Sequence, residues 1–140
     1  EEVIKVAQAK EFIDHKEEHL DSKISQGGTN VSGGQKQRLA IARAIAKNPE
    51  IFIFDDSFSA LDFKTDAMLR QELNKMIKKT KNTVLIVGQR IASIMSADQI
   101  IVLDEGRIVG KGKHDELMKD CKVYQEIAYS QLSKEELGHE

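Results

Sequence analysis

Four consecutive apolar residues, Ile51-Phe52-Ile53-Phe54, run straight into two carboxylates, Asp55-Asp56. An extended segment that is apolar on both sides of its pleat needs cover on both faces, which marks a central parallel strand. Thr83–Val87 has the same character and reads as a second buried strand. Between them, Asp62 to Lys79 places Ala67, Leu69, Leu73, Met76 and Ile77 at the apolar positions of a helix. Strands alternating with helices in this way predict an α/β fold with a mainly parallel sheet and flanking helices.

The rest of the chain fits that frame. Val3, Ile4, Val6, Ala7, Phe12 and Ile13 recur at roughly helical spacing, so the chain is expected to open with a helix. Ser25 to Asn30 is a loop by composition. Ser32 opens a strong helical stretch that Asn48-Pro49 ends, with alanines at 40, 42, 44 and 46 that favour helix and permit close packing. Ile91–Ser96 reads as a short helix. Gln99–Leu103 and Arg107–Val109 flank Asp104-Glu105-Gly106 as a hairpin. His114–Lys119 and Val123–Leu132 read as two further helices, with a charged tail over 133–140.

Composition narrows the function classes. Hydrophobic residues make up 40% and charged residues 31% of the 140, as in a globular domain with one core. A formal charge of −2 gives no basic field for nucleic acid, and 5% aromatic content gives no base-stacking platform. A single cysteine, Cys121, cannot form an internal disulfide and suits a reducing compartment. The apolar runs are too short to cross a bilayer, so any membrane part is expected elsewhere, on this polypeptide or a partner.

The densest chemistry lies at Val31-Ser32-Gly33-Gly34-Gln35. Two glycines let backbone approach a ligand closely. They sit where a helix begins, so unpaired N–H groups and the positive end of the dipole offer an anion site. Alone, the pattern also fits an ordinary serine-capped helix after a glycine turn. About twenty residues on, the carboxylates of Asp55 and Asp56 close a strand at its C-terminal end, where ligand sites of α/β sheets lie. Asp55 could orient a magnesium ion through water, although aspartate is also common in strand-end turns.

The order and spacing of these segments resemble the second half of an ATP-binding cassette (ABC) ATPase domain, a P-loop NTPase, over almost the whole chain. VSGGQ resembles the family's signature motif and IFIFD its Walker B strand. Ser59-Ala60-Leu61-Asp62 resembles the D-loop at the dimer interface, and Thr83–Arg90 the strand and switch loop that follow. IIVLDEGRIVGKGKHDEL resembles the next segment, and Ile24–Gly28 stands where exporters carry a loop that touches the membrane domains.

The resemblance implies a dimer of ATPase domains with two ATPs between them. Ser32, Gly33, Gly34 and Gln35 would serve ATP held by the partner, with Asp62 in the D-loop. Asp55, Asp56 and Gln89 would serve ATP and Mg2+ on this chain's own side. It further implies transmembrane domains as partners, no nucleic acid, and a place at the cytoplasmic face of the cell membrane. Residues 1–132 would be the C-terminal portion of the domain, with 1–47 from its helical subdomain and 48–132 carrying Walker B, D-loop, switch loop and C-terminal region.

Two positions depart from the family pattern. The family usually places Glu after the Walker B aspartate, where it polarises the attacking water; here stands Asp56, one methylene shorter. The switch-loop histidine is replaced by Gln89, whose amide can hydrogen-bond a phosphate but carries no positive charge. Both changes fall on one composite site, a pattern that resembles the degenerate half of a heterodimeric bacterial multidrug exporter. A slow but working enzyme and a non-hydrolytic regulatory module are the alternatives. A related DNA-repair or chromosome ATPase would need coiled coils, and no sustained heptads occur.

Three segments imitate other sites. His15-Lys16-Glu17-Glu18-His19 has zinc-peptidase spacing but no evident third ligand in a highly polar stretch. Gly106–Lys113 imitates a phosphate loop, yet it has three residues between its glycines and Gly112 where Ser or Thr is required. Cys121 reads as a passive thiol. No G-x-x-x-x-G-K-S/T occurs in the 140 residues, so nothing in them forms the backbone nest and lysine that hold β- and γ-phosphates. The expectation is a fragment of a larger domain, with an apolar edge exposed where a neighbouring strand is missing.

Overall fold

The computed structural model of the chain describes residues 1–136. The chain divides into two compact units, Glu1–Val87 and Gly88–Glu140. The expected line at residue 47 falls inside the first of them.

In the first unit, the opening segment is two short helices, α1 (Glu2–Val6) and α2 (Lys10–Asp14), rather than one. The break sits at Gln8, whose φ is +53°. Arg38 stabilises it by donating from Nη1 to the Gln8 carbonyl at 2.6 Å while its guanidinium lies over the Phe12 ring. The break lets Ala7 and Ala9 both reach full burial. A three-residue 3-10 turn, Gln26–Gly28, lies within the expected loop, which Asn30 and Ser25 knit together by side-chain hydrogen bonds. Helix α3 (Gly33–Ala46) follows and buries Ile41, Ala42 and Ile45.

Strands β1 (Ile51–Asp55) and β2 (Thr83–Val87) pair in parallel, with Phe52 opposite Val84 and Asp55 opposite Val87. Helix α4 (Phe63–Thr80) connects them. Phe52, Phe54, Phe58, Leu61, Leu69 and Leu73 join Ile41 and Ile45 in one core. Burying one leucine as fully as Leu69 is worth about 1.5–3 kcal/mol.

Two expectations fail here. The apolar strands are not covered on both faces: Ile51, Ile53, Leu85 and Val87 remain at least half exposed, while Phe52 and Phe54 are buried. The β1–β2 pair therefore has an open apolar face, not merely an open edge. On α4, Ala67 is exposed and Asp66 is buried in its stead. Arg70 makes that possible by donating from Nε to Asp66 at 2.7 Å one turn on, with its guanidinium 4.3 Å from the centre of the Phe58 ring.

The second unit holds α5 (Ile91–Ile94), β3 (Ile100–Asp104), β4 (Arg107–Gly112), α6 (His114–Asp120) and α7 (Lys122–Glu136). β3 and β4 pair antiparallel across a turn at Glu105-Gly106, both at positive φ. The GRIVGKGK segment thus forms a hairpin arm, as its sequence indicated. Its core gathers Ile100, Val102, Leu117, Cys121 and Tyr124, and His114 Nδ1 lies 2.8 Å from the Tyr124 hydroxyl. Helix α7 continues through Glu136 into the expected tail, of which 137–140 lie outside the described residues.

Candidate functional site

Ser32 is the N-cap of α3. Its Oγ accepts the Gln35 N–H at 3.2 Å, and the Gln35 Oε1 accepts the Ser32 N–H at 2.9 Å. Both side chains expected to face a ligand therefore hold each other in a capping box. What they leave facing outward is backbone. The first intrahelical bond runs from Lys36 N–H to the Ser32 carbonyl, so the Gly33 and Gly34 N–H groups belong to the helix start that has no intrahelical acceptor. They lie at the positive end of a helix of 14 residues.

The two glycines do different things. A Cβ on Gly33 would make only ordinary contact with Ala60 Cβ at 3.6 Å. One on Gly34 would come within 2.9 Å of the Ala60 carbonyl oxygen, which is too close for backbone. Gly34 is needed because the loop after β1 packs against this turn. Ser32, Gly33, Gly34 and Arg38 accordingly line one shallow depression of about 440 Å3 with Ala60, Leu61, Asp62 and Thr65.

Asp55 ends β1, and its carboxyl group is exposed. Asp56 follows at φ +48°, a left-handed conformation that aspartate tolerates better than most side chains. Its N–H donates to the Val87 carbonyl at 3.2 Å, extending the β1–β2 ladder by one bond. Its carbonyl accepts from Gln37 Nε2 at 3.1 Å, and the Ser59 Oγ lies 3.1 Å from both that carbonyl and the Asp56 carboxylate. Sequence reasoning missed Gln37, and it placed Ser59 in the D-loop segment without its bonds to Asp56. Their signal, a polar residue one helical turn past a glycine pair and a serine inside SFSALD, has no meaning until the loop is folded onto the helix.

Asp62 is the N-cap of α4: Oδ1 accepts the Thr65 N–H at 2.9 Å and Oδ2 the Thr65 hydroxyl at 2.7 Å. These bonds, the backbone one first, hold its carboxyl below the ordinary value of 3.8. A carboxyl lowered on folding stabilises the fold fully above its unfolded pKa and loses that contribution as pH falls through the folded value. Asparagine caps about as well without titrating. Between about pH 5 and pH 2.5, helix content by circular dichroism should therefore fall more in the parent than in Asp62→Asn. Equal acid losses in both would show that the cap contributes nothing.

Gln89 lies in the second unit, two residues beyond β2. Its carbonyl accepts from Gln131 Nε2 at 2.5 Å, and the same amide's Oε1 accepts the Ile91 N–H at 2.7 Å. Gln131, on α7, thus fixes the backbone on both sides of Arg90. The structure brings Ser32–Gln35, Asp55, Asp56 and Asp62 into one unit and leaves Gln89 in the other.

The residues fit a phosphate ligand in part. A helix start with open N–H groups suits phosphate oxygens, and an exposed strand-end carboxylate suits a hydrated divalent cation. Among the described residues no group of three or more His, Cys, Asp or Glu could hold a metal alone. A magnesium ion there would need oxygens from the ligand and water. His15 Nδ1 lies 2.6 Å from the Glu11 carbonyl on its own helix turn.

A sequence model of the ABC transporter family matches residues 2–59, from α1 through the capped helix and β1 to Ser59. The chain belongs to the ABC transporter family. An uncharacterized ABC transporter ATP-binding protein of Mycobacterium tuberculosis is 45% identical over 137 residues, 98% of this chain and 23% of that protein. A putative export ATP-binding/permease protein of Rickettsia conorii is 38% identical over 94% of this chain and 23% of its own length. A bacterial Atm1-family ABC exporter solved with ATP bound superimposes with a TM-score of 0.86 at 33% identity, covering 92% of this chain and 22% of that one. The fold is that of an ABC ATPase domain, and the chain spans about a quarter of the length of these ABC relatives. No helix among the described residues is long and apolar enough to cross a membrane.

Proposed function

We propose that this chain is part of the ATP-binding subunit of an ABC exporter, and that it works as one half of an ATPase dimer beside transmembrane domains at the cytoplasmic face of the membrane. The observation that carries the reading is the capped helix start at Ser32–Gln35. Its first N–H groups have no intrahelical acceptor and line a shallow depression, as a surface for ATP bound elsewhere requires, and no phosphate loop occurs in the 140 residues to present ATP from this side. The ATP it meets is held by the phosphate loop of a second ABC ATPase domain. Asp55 and Asp56 serve this subunit's own ATP, Asp55 through water on Mg2+, and Gln89 reaches the same ATP from the switch loop. Asp62 keeps the D-loop in shape as the cap of α4. The exposed face at Ile51, Ile53, Leu85 and Val87 supports a larger domain that covers it.

The pairing of Asp56 with Gln89 further supports a non-identical partner, with this subunit's own site the slower of two. The test is magnesium-dependent ATP hydrolysis by the purified chain alone and by the chain assembled with a domain that carries a phosphate loop. Turnover is expected only in the assembly. Hydrolysis by the chain alone at the assembled rate, unchanged after contaminating ATPases are removed, would overturn the reading.

A further inference from the structure

One side chain joins the two halves of the first unit's chemistry. Gln37 projects from the second turn of α3. Its Nε2 donates to the Asp56 carbonyl at 3.1 Å and to Ser59 Oγ at 3.0 Å, and its Oε1 accepts the Ala60 N–H at 2.9 Å. Ser59 Oγ in turn stands 3.1 Å from Asp56 Oδ2. Three groups of the loop after β1, on Asp56, Ser59 and Ala60, are therefore fastened to the helix that Ser32 caps. A few residues earlier on that helix, Gly34 meets the Ala60 carbonyl.

We infer that Gln37 is a positioning residue: it holds the left-handed backbone at Asp56, orients the Asp56 carboxylate through the Ser59 hydroxyl, and so makes the Ser32–Gln35 turn and the Asp56 carboxylate one mechanical unit. The chain of donors decides the orientation. Gln37 Nε2 donates to Ser59 Oγ, and because a carbonyl and a carboxylate only accept, the Ser59 hydroxyl donates to Asp56, shared at 3.1 Å between its carbonyl and its Oδ2. A tilt of α3 caused by a phosphate at its N-terminus must then carry the Asp56 loop with it, because the loop's bonds are to α3 itself.

The inference rests on the ATPase reading above, and its test separates the two. Gln37→Glu keeps the side chain's shape and its acceptor for Ala60 but loses both donated bonds, and it offers the Ser59 proton a competing carboxylate. Gln37→Ala loses all three. Both are made in the assembled ATPase, with the partner's own catalytic acid changed to its amide so that only the site served by Asp56 turns over. Single-turnover hydrolysis should fall about ten-fold or more in both variants, as for a misplaced catalytic group, with half-saturating ATP unchanged within about two-fold. Adding Ser59→Ala to Gln37→Glu should cost little more, because the two act in series.

Hydrogen exchange read by mass spectrometry on the segment 56–60 of the same assemblies supplies a second readout. The Ala60 amide should lose protection in Gln37→Ala and keep it in Gln37→Glu. A Gln37→Glu enzyme with parental turnover overturns the inference, as does unchanged exchange in Gln37→Ala. If the reference assembly hydrolyses no ATP at all, the ATPase reading of this site fails, and the exchange of segment 56–60 alone judges Gln37.

Discussion

Ser32→Arg in the assembled transporter is expected to reduce maximal ATP turnover by about 100-fold or more, on the order of what a 1 Å misplacement of reacting groups costs. The substitution has two consequences. It removes the Oγ that accepts the Gln35 N–H, so the capping box that shapes the turn is lost, and it places a long side chain over the Gly33 and Gly34 N–H groups. Gly34→Asp adds a negative charge where a phosphate would dock, and its Cβ collides with the Ala60 carbonyl at 2.9 Å. Gly33→Ala is the informative control, since a Cβ there meets Ala60 at an ordinary 3.6 Å. Any loss it causes is lost approach of the ligand, whereas Gly34→Ala also displaces the loop after β1. Steady-state ATPase of the purified assembly decides the matter. A Ser32→Arg assembly with an unchanged maximal rate would contradict the role in binding the partner's ATP.

The parts of this fold that were legible in the sequence are those where local chemistry and tertiary structure ask for the same residue. Ser32 followed three residues later by Gln35 is a cap in isolation and a cap in the structure. Asp104-Glu105-Gly106 is a turn in both, and the hairpin it joins disposed of the phosphate-loop imitation at Gly106–Lys113. The parallel pair β1–β2 followed from the same agreement.

The misreadings come from places where a distant partner decides. A single opening helix was expected because Val3 to Ile13 keeps helical spacing. At the break, the Gln8 carbonyl accepts from Arg38, thirty residues away and outside the segment whose spacing was read. Ala67 was expected among the apolar positions of its helix, but Asp66 is buried instead, paired with Arg70, whose guanidinium lies over the Phe58 ring. The apolar runs at Ile51–Phe54 and Thr83–Val87 were read correctly as strands, but a run of apolar residues records what a strand is suited to touch, not what is present to touch it. Gln37 was invisible for the same reason. Its three bonds reach 19 to 23 residues along the chain, and no periodicity reports them.

The largest effect expected in the proposed dimer is an asymmetry between its two sites. Asp56→Asn should lower steady-state turnover less than about two-fold, while changing the partner's matching acid to its amide should nearly abolish it. The reasons are separate and both lie on this chain. The Asp56 carboxylate is one methylene shorter than the glutamate usual in this family, and its backbone is pinned by the Val87 and Gln37 bonds, so the loop cannot advance to make up the difference. Gln89 offers an amide and no cation for charge developing on a γ-phosphate; its backbone is likewise tethered, by Gln131. The partner's site, by contrast, receives the intact Ser32–Gln35 helix start. Both single variants are measured as purified pairs, with ATP binding checked so that loss of turnover is not loss of nucleotide. If Asp56→Asn alone stops hydrolysis as completely as the partner's substitution, Asp56 is a working catalytic base, and the site it belongs to is as active as its neighbour.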